Sequence, residues 1–376
     1  MQEAGEELFS LTPGCHALEA RQGRLSLRVW DERRNFARRL LQVTRRTQGR
    51  LELKVERFGG RPGALVLMDN AAIRNHGAGG RCARHSFRER FRRMLFRQFP
   101  GFSVSRLSAE PDLAHSLSPA FPRALLKNAG PALAAVAAPP GGPHPEGALT
   151  FGLIWLDYLR RRGLTVAGLI LFVPEGRERA ACLRVRHLNP DVVRCRIFSY
   201  SGAGEQLLDP SDFGNVDTKL ETERGTAALP PRAPEQRIES GILEAVEALD
   251  ARLLPEPVYC QAATLAGGQR GIMDLLAVDR AGRLTILELK ASEDIHLPLQ
   301  ALDYWIRVKW HLDRGELSAR GYFPGIALKP EPPRLILAAP ALQFHPANET
   351  ILRFFHPTIE VVRIGLCPRL KVMFRM

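Results

Sequence analysis

Between Leu284 and Lys290 the chain reads LTILELK, so Leu284, Ile286, Glu288 and Lys290 share one face of a predicted strand and Thr285, Leu287 and Leu289 the other. A carboxylate and an amine therefore stand side by side at the end of an otherwise apolar run. The preceding run, Ile272 to Val278, predicts a second strand, and Asp279-Arg280-Ala281-Gly282 is a turn signal that pairs the two antiparallel. With the hairpin centred on Ala281, Asp274 falls opposite Glu288. Two carboxylates facing each other across a ladder sit about 5 Å apart at Cβ and repel unless a cation lies between them. That geometry suits a divalent metal with oxygen ligands, Asp274, Glu288 and the backbone carbonyl of Leu289. The plain alternative is a salt bridge at a sheet edge, since charged residues are common at strand ends.

The pattern on either side extends the order of elements. Leu297-Pro298-Leu299-Gln300-Ala301-Leu302-Asp303-Tyr304-Trp305 opens a predicted helix with Pro298 in its first turn, and Gln300 and Tyr304 lie one turn apart on a shared face. Upstream, Pro234-Glu235-Gln236-Arg237-Ile238-Glu239 opens another helix with an apolar stripe of Ile238, Ile242, Ala245, Val246 and Leu249, bordered by Glu239. RLILAAP (334–340) and IEVVRIGL (359–366) predict later strands around a helix near Thr350 to His356. In the N-terminal half, LSLRVW, GRLELKVERF and ALVLM predict strands between Leu25 and Met68, and residues 77–84 read as a flexible Gly/Arg loop. A helix from Ser86 to Phe99 has a Ser86/Glu89 capping box, a Phe87, Phe91, Leu95 and Phe99 stripe, and Pro100 as its stop.

On these residues, the stretch from 235 to about 365 resembles the PD-(D/E)XK nucleases, the restriction-endonuclease-like superfamily, over roughly a third of the chain. The resemblance implies an α/β fold with a mixed sheet flanked by helices. It makes Asp274 and Glu288 the acids that bind Mg²⁺ or Mn²⁺, and Lys290 the lysine that stabilises the anionic transition state and orients the attacking water. Glu239 matches the glutamate supplied by the first helix. Gln300 and Tyr304 match the Q-x-x-x-Y element of the RecB-like branch, which positions substrate near the metal. Ile272-Met273 stands where the motif's proline would be, and Mrr-like and mismatch-type endonucleases share the hairpin, so the branch stays open. The implied activity is metal-dependent hydrolysis of phosphodiester bonds in DNA, in repair, recombination or defence. Two alternatives are a nucleic-acid adaptor that keeps the fold without cutting, and a protein-interaction domain with no nucleic-acid role.

Charge supports a polyanionic partner. The net charge is +13 and the isoelectric point is near 10, properties that bear on association and not on fold. Residues 1–100 hold 21 Lys plus Arg against 10 Asp plus Glu, a surplus of 11. Nearly all of these cations are Arg, which grips phosphate bidentately; codon bias in a GC-rich genome is the competing explanation. On the predicted 86–99 helix, Arg88, Arg92, Arg93 and Arg97 are candidate nucleic-acid contacts. Six cysteines are scattered without a Cys-x-x-Cys pair, which fits neither a zinc site nor a disulfide framework and predicts a reducing cytoplasm. No uninterrupted apolar run reaches membrane-spanning length, so no membrane partner is expected.

Composition divides the chain into a basic, β-leaning region (1–80), an α/β region (81–221) that holds substrate or is a degenerate copy of the nuclease-like fold, a Pro-rich linker (222–236) and the nuclease-like domain (237–376). The idea of a copy rests on an echo. LTFGLIWLDYLRRRGLTVAGLILFVP (149–174) follows the same helix-then-strand plan as the stretch around Leu302-Asp303-Tyr304, and aligning the Leu-Asp-Tyr triplets puts Ile154 where Gln300 stands. The strand before it, PALAAVAAP, has no acid or lysine. Asp112, His115 and Ser116 read as a capped turn, there being no Gly-x-Ser-x-Gly elbow to make them a hydrolase site.

Overall fold

The alternating and 3.6-residue patterns are realised as three sheets connected by helices, an α/β architecture. The structure, a computed structural model, describes residues 2–3, 6–7, 16–21, 24–30, 35–47, 50–56, 62–68, 76–140, 147–214, 246–266, 269–341, 343–367 and 372–375. Among them no helix is long and apolar enough to cross a membrane.

The first sheet comprises β1 (Gln2–Glu3), β2 (Glu6–Glu7), β3 (His16–Arg21), β4 (Arg24–Trp30), β5 (Asn35–Thr47), β6 (Arg50–Glu56) and β7 (Pro62–Met68), in the order β2-β1-β7-β6-β5-β4-β3. Leu27, Val29, Leu53, Val55 and Leu65 form its buried cluster. β4, β6 and β7 fall where the sequence predicts strands. β5 was not predicted: its register shifts between Leu40 and Gln42 and again between Val43 and Arg45, and each bulge breaks the two-residue period by which strands are recognised. Leu41 and Val43 are consequently exposed.

The second sheet follows α1 (His76–Gln98) and contains β8 (Ser103–Ser108), β9 (Arg123–Lys127), β10 (Ala132–Ala137), β11 (Val166–Pro174), β12 (Arg194–Tyr200) and β13 (Glu205–Leu208), ordered β13-β12-β11-β10-β9-β8. α2 (Gly147–Arg161) precedes β11, and α3 (Arg179–Val185) precedes β12. Two expectations about α1 are corrected. Residues 77–84 are helical and not a loop, and Ser86 lies inside the helix and not at its N-cap. Three glycines at about 1 kcal/mol each relative to Ala argue for a loop locally, but the strongly buried stripe of Phe87, Phe91, Met94 and Leu95 supports a helix that extends backward through them. The expected stop holds, with α1 ending at Gln98, before Pro100. Asp112 and His115 form the expected turn, closed by an Oδ1 to Nδ1 contact of 2.7 Å.

The third sheet contains β14 (Tyr259–Ala266), β15 (Gln269–Val278), β16 (Leu284–Leu289), β17 (Arg334–Pro340), β18 (Val361–Leu366) and β19 (Val372–Arg375), in that order across the sheet. β14, β15 and β16 pair antiparallel, β16 to β18 parallel, and β19 antiparallel. Its helices are α4 (Val246–Leu249), α5 (Leu297–Asp313), α6 (Glu316–Ala319) and α7 (Ala347–Leu352). The predicted linker at 222–236 and the start of the helix carrying Glu239 lie outside the described residues. α7 sits three residues earlier than the helix predicted near Thr350 to His356, because Pro346 supplies its N-terminal boundary.

On one face of this sheet Leu275, Ala277, Leu287, Leu289, Ile336, Ala338 and Ile364 pack with Val246, Leu249 and Leu253. Arg334 and Asp250 are buried together on that side, Nη1 to Oδ2 at 3.0 Å, and Arg334 Nη2 donates to Thr285 Oγ1 at 3.2 Å. The β15–β16 turn is made by Asp279, whose Oδ1 accepts from the N–H groups of Ala281 and Arg283, each at 2.9 Å. Gly282 adopts φ +88°, and a Cβ there would collide with the carbonyl oxygen of Ala327.

The chain forms two compact units, Met1–Val166 and Ala167–Met376. Within the second unit, the segment around α3 binds the third-sheet elements. Arg184 holds both oxygens of Asp303 on α5, Nε to Oδ1 at 2.8 Å and Nη2 to Oδ2 at 2.7 Å. His187 meets Trp305 edge-on at 5.2 Å, and Asn189 N–H donates to Phe354 O at 2.8 Å. These contacts run from residues before the predicted linker to residues after it.

Candidate active site

Glu288 is placed by strand alternation. Leu287 and Leu289 enter the core cluster beside α4, so Glu288 projects from the opposite face, toward the side on which α5 packs against β16 and β17. Its side chain is 2% exposed. β16 is an interior strand of the sheet. The edge salt bridge weighed from sequence is therefore not what forms: an interior strand covered by a helix takes the carboxylate out of water. Lys290 follows β16 directly, with its N–H still bonded to Ala338 O at 3.0 Å. Its Nζ lies 3.2 Å from Glu288 Oε1.

The β15–β16 register pairs Val278 with Leu284, Ala277 with Thr285, Leu276 with Ile286 and Leu275 with Leu287. One residue further along each strand stand Asp274 and Glu288, the order expected from the turn. The side chain of Asp274 lies outside the described residues, as does Glu239. Leu289 ends β16 opposite Ala338.

α5 begins with Pro298 in its first turn, as expected. Asp294 Oδ1 accepts from the His296 N–H at 2.8 Å, ordering the approach to the helix. Gln300 and Tyr304 follow on one side of α5, both half-buried. Gln300 Oε1 is buried and has no hydrogen-bond partner among the described residues. An amide oxygen in that condition is costly unless something meets it.

The same row continues to a residue that sequence reasoning missed. Arg307, 3% exposed, holds its guanidinium carbon 5.8 Å from the centre of the Tyr304 ring. Burial pushes it down to about 10, with Asp303 and Tyr304 opposing and Arg184 adding to the shift. The available signal was a run of polar residues at i, i+4 and i+7 along the helix.

Of the α1 arginines, Arg92, Arg93 and Arg97 are exposed and Arg88 is half-buried, 3.4 Å from Glu89 Oε1. Arg92 lies 5.6 Å from the ring centre of Phe96. Among the described residues no group of three or more His, Cys, Asp or Glu side chains is close enough to hold a metal.

Two solved structures resemble parts of the chain. A repair endonuclease from Pyrococcus abyssi is 21% identical, matches 37% of this chain and 50% of its own, and gives a TM-score of 0.25. The EndoMS–dsDNA2 complex is 18% identical over 39% of this chain and 49% of that one, with a TM-score of 0.23. The chain thus spans about half the length of each of these two structures. No family profile and no curated protein matches it.

The strand carries a buried carboxylate with an amine bonded to it, and the helix that packs against that strand carries Gln300, whose Oε1 is buried without a partner among the described residues. Such a set can hold a hard cation through oxygen and place a positive group beside an anion bound to that cation.

Proposed function

We propose that this chain is a divalent-metal-dependent nuclease whose site is built from Asp274, Glu288 and Lys290, with Gln300 and Tyr304 on the covering helix. The observation that carries the reading is the pairing of buried Glu288, on an interior strand, with the partly buried Lys290 that follows it. A buried ion pair is weak as a stabilising device, because apolar residues of similar volume do as well or better. Its presence beside the strand position of Asp274 is better explained by chemistry. The resemblance of residues 235 to about 365 to the PD-(D/E)XK nucleases points the same way.

The donor set fits Mg²⁺ or Mn²⁺: two carboxylates and the Leu289 carbonyl are hard oxygen ligands, with no thiolate or imidazole among them. When bound, the cation would neutralise charge on the phosphate and make a water acidic enough to attack near neutral pH. Glu288 directs the Nζ of Lys290. Lys290 stabilises the charge that develops on the phosphoryl oxygens and orients the attacking water. Gln300 offers its amide to that water or to the substrate. Glu239 would add a further carboxylate, and the α1 arginines Arg88, Arg92, Arg93 and Arg97 would contribute contacts to backbone phosphates, DNA being the substrate we favour.

The full chain should cut labelled single- or double-stranded DNA or RNA in Mn²⁺, and Glu288→Ala should abolish cutting while leaving the melting temperature within a few degrees of wild type. Metal-dependent cutting that survives Glu288→Ala would defeat the reading. Nucleic-acid binding without cutting by the wild type would make the chain an adaptor.

A further inference from the structure

The first sheet takes no part in the site described above, and one stretch of it lies open to solvent. β4 pairs with β5 only as far as Leu40, which stands opposite Leu25, whereas β5 runs on to Thr47 with β6 along its other side. Among the described residues β5 therefore has a free edge from Leu41 to Thr47, about 20 Å long at about 3.3 Å per residue. Every residue from Leu41 to Arg46 is exposed. β6 is held in turn by β7, from Arg50 opposite Met68 to Glu56 opposite Pro62, so the edge is backed by a paired sheet.

The side chains on this edge are of two kinds. Leu41 and Val43 are 45% and 55% exposed, which leaves apolar surface in water at a cost in free energy. Arg45 and Arg46 follow them, and neither makes an ion pair among the described residues. β5 and β6 together carry six Lys or Arg and two Glu, and one of those acids, Glu56, is held by Arg39 at 2.8 Å. Charge placed only to keep an edge from aggregating has no need of exposed leucine and valine beside it. Two partners fit along an edge of this kind, an added protein strand and a nucleic acid. A protein strand requires an unbroken alternation of N–H and C=O groups, and the extra residues at Leu41 and Thr44 interrupt it. A polyanion requires no such register: arginine forks take its phosphates, and apolar side chains meet base edges such as the thymine methyl.

We propose that the free edge of β5 from Leu41 to Thr47 is a docking surface for nucleic acid, with Arg45 and Arg46 in contact with backbone phosphates. That this nucleic acid is also a substrate rests on the nuclease reading; the docking does not.

The test uses the full chain with fluorescein-labelled single- and double-stranded DNA, read by anisotropy at several salt concentrations in EDTA, where no metal-dependent cutting occurs. Arg45→Gln combined with Arg46→Gln should weaken binding about tenfold or more and lower the slope of log K against log salt by about 1.8 for duplex or about 1.4 for single strands, two contacts at about 0.9 or 0.7 each. Both side chains are exposed, so the melting temperature should hold. Arg45→Lys combined with Arg46→Lys, which keeps the charge and loses the fork, should retain most of the slope and only part of the affinity. Arg161→Gln combined with Arg353→Gln removes the same charge from two surface arginines already paired with Asp157 and Glu349, and should leave affinity nearly unchanged. An equal loss in that control would overturn the docking in favour of diffuse attraction to the whole chain. Unchanged affinity and slope in the Arg45/Arg46 glutamine variant would overturn it in favour of a protein partner at this edge, and wild-type cutting in Mn²⁺ would then leave the nuclease reading standing. A wild type that binds but never cuts, with affinity lost in the glutamine variant, would do the reverse.

Discussion

In the second sheet three antiparallel strands, β8 to β10, lead through α2 to β11 and the parallel β12, with β13 returning antiparallel. In the third sheet β14 to β16 lead through α5 to the parallel β17 and β18, with β19 returning antiparallel. The strand orders are the same, from β8 to β13 and from β14 to β19. Even the hairpins turn alike: Asn128 Oδ1 accepts from Gly130 N–H at 2.9 Å, as Asp279 Oδ1 does from Ala281 N–H at 2.9 Å. The two sheets share this strand order, and they differ in the chemistry at one place.

Counting outward from each turn locates that place. Asp274 and Glu288 stand seven residues either side of Ala281. Arg123 and Val136 form a cross-strand pair within one residue of the corresponding place around residues 128–131, and Arg123 faces α2, 5.5 Å from the centre of the Trp155 ring. The second sheet therefore has a guanidinium near the place where the third has Asp274, valine near the position of Glu288, and Ala138 near that of Lys290. Ile154, aligned with Gln300 through the Leu-Asp-Tyr triplets, is buried and apolar. Arg123 sends Nη2 to Glu110 O at 2.8 Å, and burial lowers its pKa against the pull of Asp112, Tyr158 and Glu110. If the third sheet binds a cation as proposed, the buried guanidinium of Arg123 sets the second sheet apart from it.

Substitutions that carry the third sheet toward the second sharpen the contrast. Lys290→Ala reproduces the alanine, Ala138, found near the equivalent place just after β10 and should lower turnover by on the order of 10² or more, the usual loss for one transition-state donor. Its affinity for Mn²⁺, read by calorimetry, should persist; loss of the metal as well would mean that Lys290 shapes the ligand set. The two turns should respond unequally to the same change. Gly282→Ala must place a side chain at φ +88° and against Ala327 O, and should cost about 1–3 kcal/mol of stability in a denaturant titration. Gly130→Ala meets only Asn128 Oδ1, at an ordinary 3.5 Å, and should stay within about 0.5 kcal/mol of wild type. Equal costs would show that the two hairpins are less alike in their demands than their hydrogen bonds suggest.

Much of the third sheet was legible because its signals agree. Alternation from Leu284 to Lys290, a turn at Asp279 to Gly282 and Pro298 at the helix start each report local geometry, and all specify the same hairpin and helix. The bulged β5 was not legible, since two register shifts erase the period that marks a strand. The first turns of α1 were hidden by Gly77, Gly79 and Gly80, whose local cost is outweighed by the buried stripe that follows. Arg307 was missed because periodicity marks an arginine as solvent-facing, whereas α5 is covered on nearly every side, including by the segment around α3. Arg123 could be recognised as a replacement for an acid only once the register of β9 and β10 was known.

The contrast between the sheets is tested most directly by counting divalent cations. Calorimetric titration of the full chain with Mn²⁺ should give binding at the third sheet alone: Glu288→Ala should remove the heat entirely, and Arg123→Met should leave it unchanged. Metal binding that survives Glu288→Ala, or that disappears in a folded Arg123→Met, would contradict the account.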